Sequence, residues 1–473
     1  MIKLSVKSYI KGFLSFSFGT WFKAFISVFT TPIISYIINP EEFGRASMYT
    51  MMLNIGILIS TLGTDQAFVR FFYEYSEGER KSLLWNCLLP SLTLAGIISF
   101  FFIQFDRELS KILYGNYYPN IGFLFSVSLI VSILQRFNQL TVRMKKRGVL
   151  YSLIDIVGVL SNTGATIIYA LLIHRDFYAL VFGSLMGVVV SLAIGIASEK
   201  DYWSIKSISI GEIKKAVNYG IFFVPTFLIT WLFQSIDRIS IRQYSTFEEI
   251  GLYSAASKIA SVMLLIQAGF TQFWIPIAYE RYEKDGTRGD FFKKANITAT
   301  FLMFSFGFAV LGFKDILFML FSQTYREAAF IMPFLIFSPI MTTISETTVI
   351  GINFSKKTYW HIVVATLSAL VNFIGNTILV PMYGAKGAAI STGLSYIVFF
   401  AMRTFISEKH MKFNFEMRRF VVETVIMIFV ALFETINRVV ILNIFVGLVG
   451  MVFTLLLYKN EILQIKRELF EAK

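Results

Sequence analysis

Four basic side chains, Lys23, Arg136, Arg238 and Lys258, interrupt long apolar runs of this chain. A cation in such a stretch is costly unless water, a counter-charge or an anion meets it. A guanidinium fork can hold two oxygens of a phosphate or carboxylate, whereas an ammonium offers a compact point charge. Lys23 is the deepest, about eleven residues and so roughly 16 Å into the first run at a helical rise. These positions suit an anionic substrate. The plain alternatives are that Arg136 and Lys258 snorkel to the nearer interface, and that Arg238 pairs with a carboxylate such as Asp237.

The acids allow a second kind of chemistry. Asp155 and Glu346 fall in the cytoplasmic third of their runs, where a carboxylate can bind a proton or Na⁺ reversibly. Coupling to an ion gradient is therefore a candidate role, with solvation at the interface as its alternative. Glu423 and Glu434 mark the last pair of runs. Asp65 and Arg70 close the second run, and with Asp237 they read as gate or helix-end residues. His174, His361 and His410 have no metal-ligand spacing, and Cys87 stands alone, so no metal centre and no intrachain disulfide are expected. Neither a phosphate-binding glycine loop nor a catalytic triad is legible. The chain reads as a non-enzyme without a cofactor, driven by a Na⁺ or H⁺ gradient or by its substrate's own disequilibrium.

Composition identifies the elements that must position these groups. Of 473 residues 56% are hydrophobic and 15% charged, with 51 phenylalanines, against the usual quarter or so of charged residues in a soluble protein. Spanning hydrocarbon in a helix takes about 20 apolar residues, because lipid offers backbone groups no partner. Such runs occur at 12–38, 43–64, 82–105, 121–142, 149–173, 177–198 and 216–241, and again at 250–278, 295–318, 328–353, 359–380, 384–406, 417–436 and 439–458. Strands of a closed barrel would instead alternate polar and apolar residues over about ten positions. The expected fold is an all-α polytopic membrane protein of about 14 transmembrane helices.

With the N-terminus inside, 30 of the 43 Lys and Arg residues fall on cytoplasmic segments and 9 on outer ones. That is the positive-inside pattern, and an even span number places both termini in the cytoplasm. The net charge of +13 thereby reads as topology and contact with anionic membrane lipid, not as nucleic-acid binding. The Lys-rich start precedes a long apolar run without a small-residue cleavage site, which reads as a retained first span.

The string Glu41-Glu42-Phe43-Gly44 returns as Glu248-Glu249-Ile250-Gly251, 207 residues later. Lys146-Arg147 is answered by Lys356-Lys357, and Asn162 by Asn372, at an offset of 210. Two parallel six-helix halves follow, pseudo-symmetric about an axis along the membrane normal. The expected domains are 1–214 and 215–410 as the two lobes, and 411–473 as an appended helix pair with a cytoplasmic tail. The buried charges do not repeat with the scaffold.

Several strings resemble the bacterial polysaccharide flippases, the O-antigen and capsule transporters. They are Pro40 to Gly44 with Gly63 to Phe71, then Tyr219-Gly220, Pro225 and Asp237-Arg238. Gly251 to Lys258 follows, and then Asn372, Asn376, Pro381 and Tyr383 to Ile390. The resemblance implies a fold akin to multidrug and toxin extrusion transporters, two six-helix lobes with two extra helices in this branch. It also implies a substrate, an oligosaccharide attached through pyrophosphate to undecaprenyl lipid, flipped across the bacterial inner membrane by alternating access. Polysaccharide polymerase machinery is then a candidate partner. Under that reading Lys23, Arg136, Arg238 and Lys258 form a ladder of cations that hands the pyrophosphate across. Two competitors remain: an ion-coupled multidrug exporter on the same fold, and a membrane glycan polymerase. The first should carry central carboxylates, whereas the deepest charge here is Lys23. The second should carry a long external loop, and the outer loops are short.

Overall fold

The computed structural model describes residues 22, 25–204, 208–285, 291–413, 415 and 417–461, and among these it is helical without a strand. Lys23 lies outside the described residues. The protein is an all-α polytopic membrane protein. Two compact units, Met1–Leu232 and Phe233–Lys473, divide the chain.

The first unit contains α1 (Phe25–Ser35), α2 (Pro40–Thr61), α3 (Thr64–Phe71), α4 (Arg80–Gln104), α5 (Asp106–Tyr114), α6 (Ile121–Met144), α7 (Gly148–Leu172), α8 (Phe177–Ser198) and α9 (Ile210–Gly220). Next, α10 (Val224–Tyr244) crosses into the second unit, which continues through α11 (Phe247–Ala260), α12 (Met263–Asp285) and α13 (Phe291–Met319). Three short helices follow, α14 (Met332–Leu335), α15 (Phe337–Thr348) and α16 (Ile350–Phe354), then α17 (Trp360–His410), α18 (Met417–Ile436) and α19 (Val440–Leu457).

Nine helices among the described residues are long and apolar enough to span a membrane, or eleven if each of two bent pairs counts once. Apart from the run 12–38, much of which lies outside the described residues, the difference from fourteen runs has local causes. α17 holds the two expected spans, 359–380 and 384–406, as two helical segments joined across a kink at Gly384, and so counts once among the nine. α18 falls outside the apolar set because it holds Arg418, Arg419, Glu423 and Glu434. The run 328–353, expected as one span, is broken into three short helices. Its Pro333 and Pro339 each lack the amide hydrogen that a continuous helix uses. The second run bends by 56° between α2 and α3, where Leu62 and Gly63 both take left-handed backbone angles.

The repeated strings are structural joints. Asn39 caps α2 through Glu42 N–H, and Thr246 caps α11 through Glu249 N–H. The second glutamate of each pair then reaches across its own unit. The Glu42 carboxylate accepts the Phe177 N–H at 2.9 Å, at the start of α8. The Glu249 carboxylate accepts the Ala385 N–H at 2.5 Å, where α17 resumes after Gly384. Both carboxylates meet the unpaired amides and the positive end of a helix dipole. Lys146 and Lys356 match as well, at φ 58° and 61°. Each ends its helix in a bond five residues back, Arg147 N–H to Val142 and Lys357 N–H to Ile352.

Small residues let the helices approach closely. A Cβ on Gly183 of α8 would meet Thr166 Oγ1 of α7 at 1.9 Å, and one on Gly447 of α19 would meet Gly312 Cα of α13 at 2.5 Å. Gly447→Val is accordingly expected to destabilise the second unit by about 1–3 kcal/mol through overpacking. An unchanged melting temperature in detergent would show that the α13–α19 seam has slack.

Candidate functional site

In the first unit the site begins with the bend after α2. That bend sets Asp65 in the first turn of α3, with its side chain 1% exposed. Its Oδ2 accepts Arg136 Nε at 2.9 Å and Nη2 at 2.5 Å from α6, and Gln66 Nε2 at 2.9 Å. Asp65 Oδ1 is buried with no hydrogen-bond partner among the described residues. Arg136 is itself 45% exposed. One edge of the guanidinium is thus clamped on a buried carboxylate while much of the group stays accessible, a pre-oriented cation able to meet an anion.

The neighbouring expected residues take other partners. Arg70 is exposed and pairs with Glu74, one turn further along, an arrangement of small energetic weight at a surface. Asp155 of α7 accepts Gln139 Nε2 of α6 at 2.9 Å.

The second unit brings Asp237, Arg238 and Lys258 into one neighbourhood. Asp237 and Arg238 are adjacent on α10 and so face different ways. Arg238 donates to Gln234 O at 3.3 Å and makes a long contact of 3.5 Å with Ser254 Oγ on α11. It is a charge neighbour of Lys258, which lies on the same helix as Ser254 and is exposed.

Asp237, 4% exposed, is the hub of a buried polar network. Its Oδ2 accepts the Tyr253 hydroxyl at 2.6 Å and the Thr392 hydroxyl at 2.7 Å, and its Oδ1 accepts Asn376 Nδ2 at 2.8 Å. Asn376 Nδ2 also reaches Asn372 Oδ1 at 2.9 Å, which in turn accepts the Ser391 hydroxyl at 2.9 Å. Asn376 Oδ1 and Asn372 Nδ2 are buried without partners among the described residues. The network offers carboxylate, amide and hydroxyl oxygens from α10, α11 and α17, the donor type that hard cations take. Glu346, by contrast, is paired with Arg403 at 3.0 Å.

Sequence reasoning did not find Tyr253 and Thr392 as partners of Asp237, or Asp65 as the partner of Arg136. Asp65 and Arg136 are 71 residues apart, so no local pattern could join them. Tyr253 stands inside the string Gly251 to Lys258, where nothing local marks its hydroxyl as a partner of Asp237, 16 residues away.

This fold and its charged spans define a multi-pass membrane protein. A family model described as polysaccharide biosynthesis protein matches residues 9–280, more than half of the chain, and the protein belongs to that family. Curated relatives include an uncharacterized membrane protein of Haemophilus influenzae, 21% identical over 54% of this chain and 62% of its own length. Another is a probable low-salt glycan biosynthesis flippase of Haloferax volcanii, 24% identical over 47% of this chain and 48% of its own length. The chain thus matches less than two thirds of each of these relatives. Among solved structures, the lipid II flippase MurJ in an inward closed conformation superposes with a TM-score of 0.68 at 14% identity, covering 94% of this chain and 99% of that one. An outward-facing transporter of the multidrug resistance MATE family gives 0.56 at 14% identity, over 84% and 95%. At these identities the likeness is one of fold.

Proposed function

We propose that the protein is a flippase that carries an undecaprenyl-pyrophosphate-linked oligosaccharide from the cytoplasmic to the outer leaflet of the bacterial inner membrane. The product would feed O-antigen, capsule or exopolysaccharide assembly, with polymerase machinery downstream and both termini in the cytoplasm. The observation that carries this reading is Arg136, an intramembrane guanidinium anchored on a buried aspartate yet nearly half exposed. The family match supports it, with Arg238 and Lys258 as two further cations of the apolar runs. Sugars and phosphates cannot cross hydrocarbon unaided, because each polar group loses its hydration. A cationic polar path supplies substitutes while the lipid tail stays in the bilayer. Transport is by alternating access and needs no covalent step.

Coupling to Na⁺ or H⁺ fits the Asp237 network better than Asp155 or Glu346. There a buried carboxylate stands beside an amide oxygen with no partner among the described residues, whereas Glu346 already has Arg403. Asp237→Asn is expected to leave protein abundance intact and to remove the dependence of transport on the coupling gradient. Transport that still follows the gradient in this variant would move the ion elsewhere.

The decisive experiment follows labelled lipid-linked oligosaccharide in cells lacking the gene. Accumulation in the cytoplasmic leaflet is expected, with loss of surface polysaccharide. Delivery to the outer leaflet at the normal rate, in a strain without a second transporter, ends the flippase reading. For Lys23, which lies outside the described residues, Lys23→Ala tests whether the deepest cation belongs to the same path.

A further inference from the structure

A second buried charge cluster joins α13 to the helix pair α18–α19. Lys314 of α13 is 0% exposed, with Nζ at 3.0 Å from Asp315 Oδ1 and 4.0 Å from Glu434 Oε2 of α18. Glu434 is also 0% exposed, and neither of its carboxylate oxygens has a hydrogen-bond partner among the described residues. Asp315, 11% exposed, is held on its other oxygen by Asn443 Nδ2 of α19 at 2.7 Å. Asn443 Oδ1 is in turn occupied by Asn437 Nδ2 at 2.8 Å.

Two acids and one base therefore share this buried place, which leaves it one positive charge short. The remaining charges nearby do not supply it. Arg438 has its own partner, Glu327, at 3.0 Å, and both are exposed. Lys386 rests on the Phe330 ring, 5.3 Å from its centroid, and is part-exposed to solvent. Lys314 meets the same ring at 5.1 Å and is already bonded to Asp315. A carboxylate 4.0 Å from an ammonium lies beyond hydrogen-bond distance. Glu434 thus lacks both a donor and full charge compensation among the described residues, a state that burial penalises strongly.

We propose that the Lys314–Asp315–Glu434 cluster binds one further monovalent cation at Glu434, a proton or an alkali ion, and that this charge holds α18–α19 against α13. The mechanical consequence follows from the seam beside it. α13 and α19 meet at Gly312 and Gly447, where a Cβ on Gly447 would stand 2.5 Å from Gly312 Cα, so the seam leaves little space for water to reach an uncompensated carboxylate without movement of the helix pair. Losing the cation must therefore loosen α18 as a unit. This site is independent of the transport reading and of the Asp237 network.

Hydrogen exchange of α18 and α19 in the purified full-length protein in nanodiscs tests it. One series varies pH at fixed Na⁺. A second replaces NaCl by choline chloride at fixed pH. After correction for intrinsic exchange, the wild-type opening equilibrium is expected to rise up to tenfold per pH unit if the site holds a proton. It should instead fall up to tenfold per tenfold increase in Na⁺ if it holds an alkali ion. Glu434→Gln is expected to abolish that dependence. Asp315→Asn, which leaves one acid and one base, is expected to do the same and keeps the test open if the first variant does not accumulate. Protection indifferent to both pH and Na⁺ in the wild type overturns the proposal, and so does wild-type dependence that persists in either variant.

Discussion

Arg136→Ala is expected to abolish transport and to destabilise the first unit, and the two losses can be separated. Removing the guanidinium strands Asp65, whose carboxylate is 1% exposed and has one oxygen without a partner among the described residues. Breaking a buried pair from one side costs about 3–5 kcal/mol. The lower end applies here, because Arg136 is 45% exposed and the pair is buried from one side only. At roughly 2–4 °C per kcal/mol for a unit of this size, the melting temperature in detergent should fall visibly. The double substitution Asp65→Asn with Arg136→Gln replaces the ion pair by two neutral amides and should recover most of that stability. Transport should stay lost in the double variant if Arg136 meets the cargo. Recovery of transport together with stability would reduce the arginine to a structural partner of Asp65.

Gly384→Ala should be the most damaging single substitution in the second unit. Gly384 has φ 55° and ψ −133°, a region that L side chains avoid at a cost of about 1–3 kcal/mol. A Cβ there would also stand 1.8 Å from Glu249 Oε2, so the carboxylate must leave the Ala385 N–H. A hydrogen bond to a charged group contributes about 1.5–3 kcal/mol, and the two effects add because the same methyl causes both. Glu249→Gln isolates the second effect and should cost less. The corresponding Glu42→Gln should cost less again, because α8 has its own cap in Asp176, which accepts the Tyr178 N–H at 3.1 Å. Equal losses at Glu42 and Glu249 would show that the Asp176 cap does not offset the bonds Glu42 makes to Phe177 and Arg45.

The demands of the bilayer explain why so much of the fold was legible. A membrane span announces itself by length and apolarity, since each helix must satisfy its own backbone in hydrocarbon whatever its neighbours do. The runs at 82–105, 121–142, 149–173 and 177–198 accordingly match α4, α6, α7 and α8 closely. Breaks inside spans were harder to see. The boundary at Gly384 was legible, since the kink falls between the runs 359–380 and 384–406, but the run 328–353, read as one span, is three short helices. The repeated glutamates were visible as duplication, but their reach to Phe177 and Ala385 was not. Those amides lie 135 and 136 residues away, and their near-equal separation is the one trace of the contact that sequence retains.

The site divides along the same line. Sequence by itself determined that the chain crosses a membrane many times, that strings such as Glu41-Glu42 and Glu248-Glu249 recur, and that a few cations and acids lie within the apolar runs. Each of these depends on local composition or on recurrence. Tertiary structure decided which charge meets which: Asp65 takes Arg136, Asp237 takes two hydroxyls and an amide instead of Arg238, and Glu434 is left beside Lys314 without a donor among the described residues. The physical reason is that a buried charge is defined by the few ångströms around it, and in a helical bundle those ångströms belong to helices far apart in sequence.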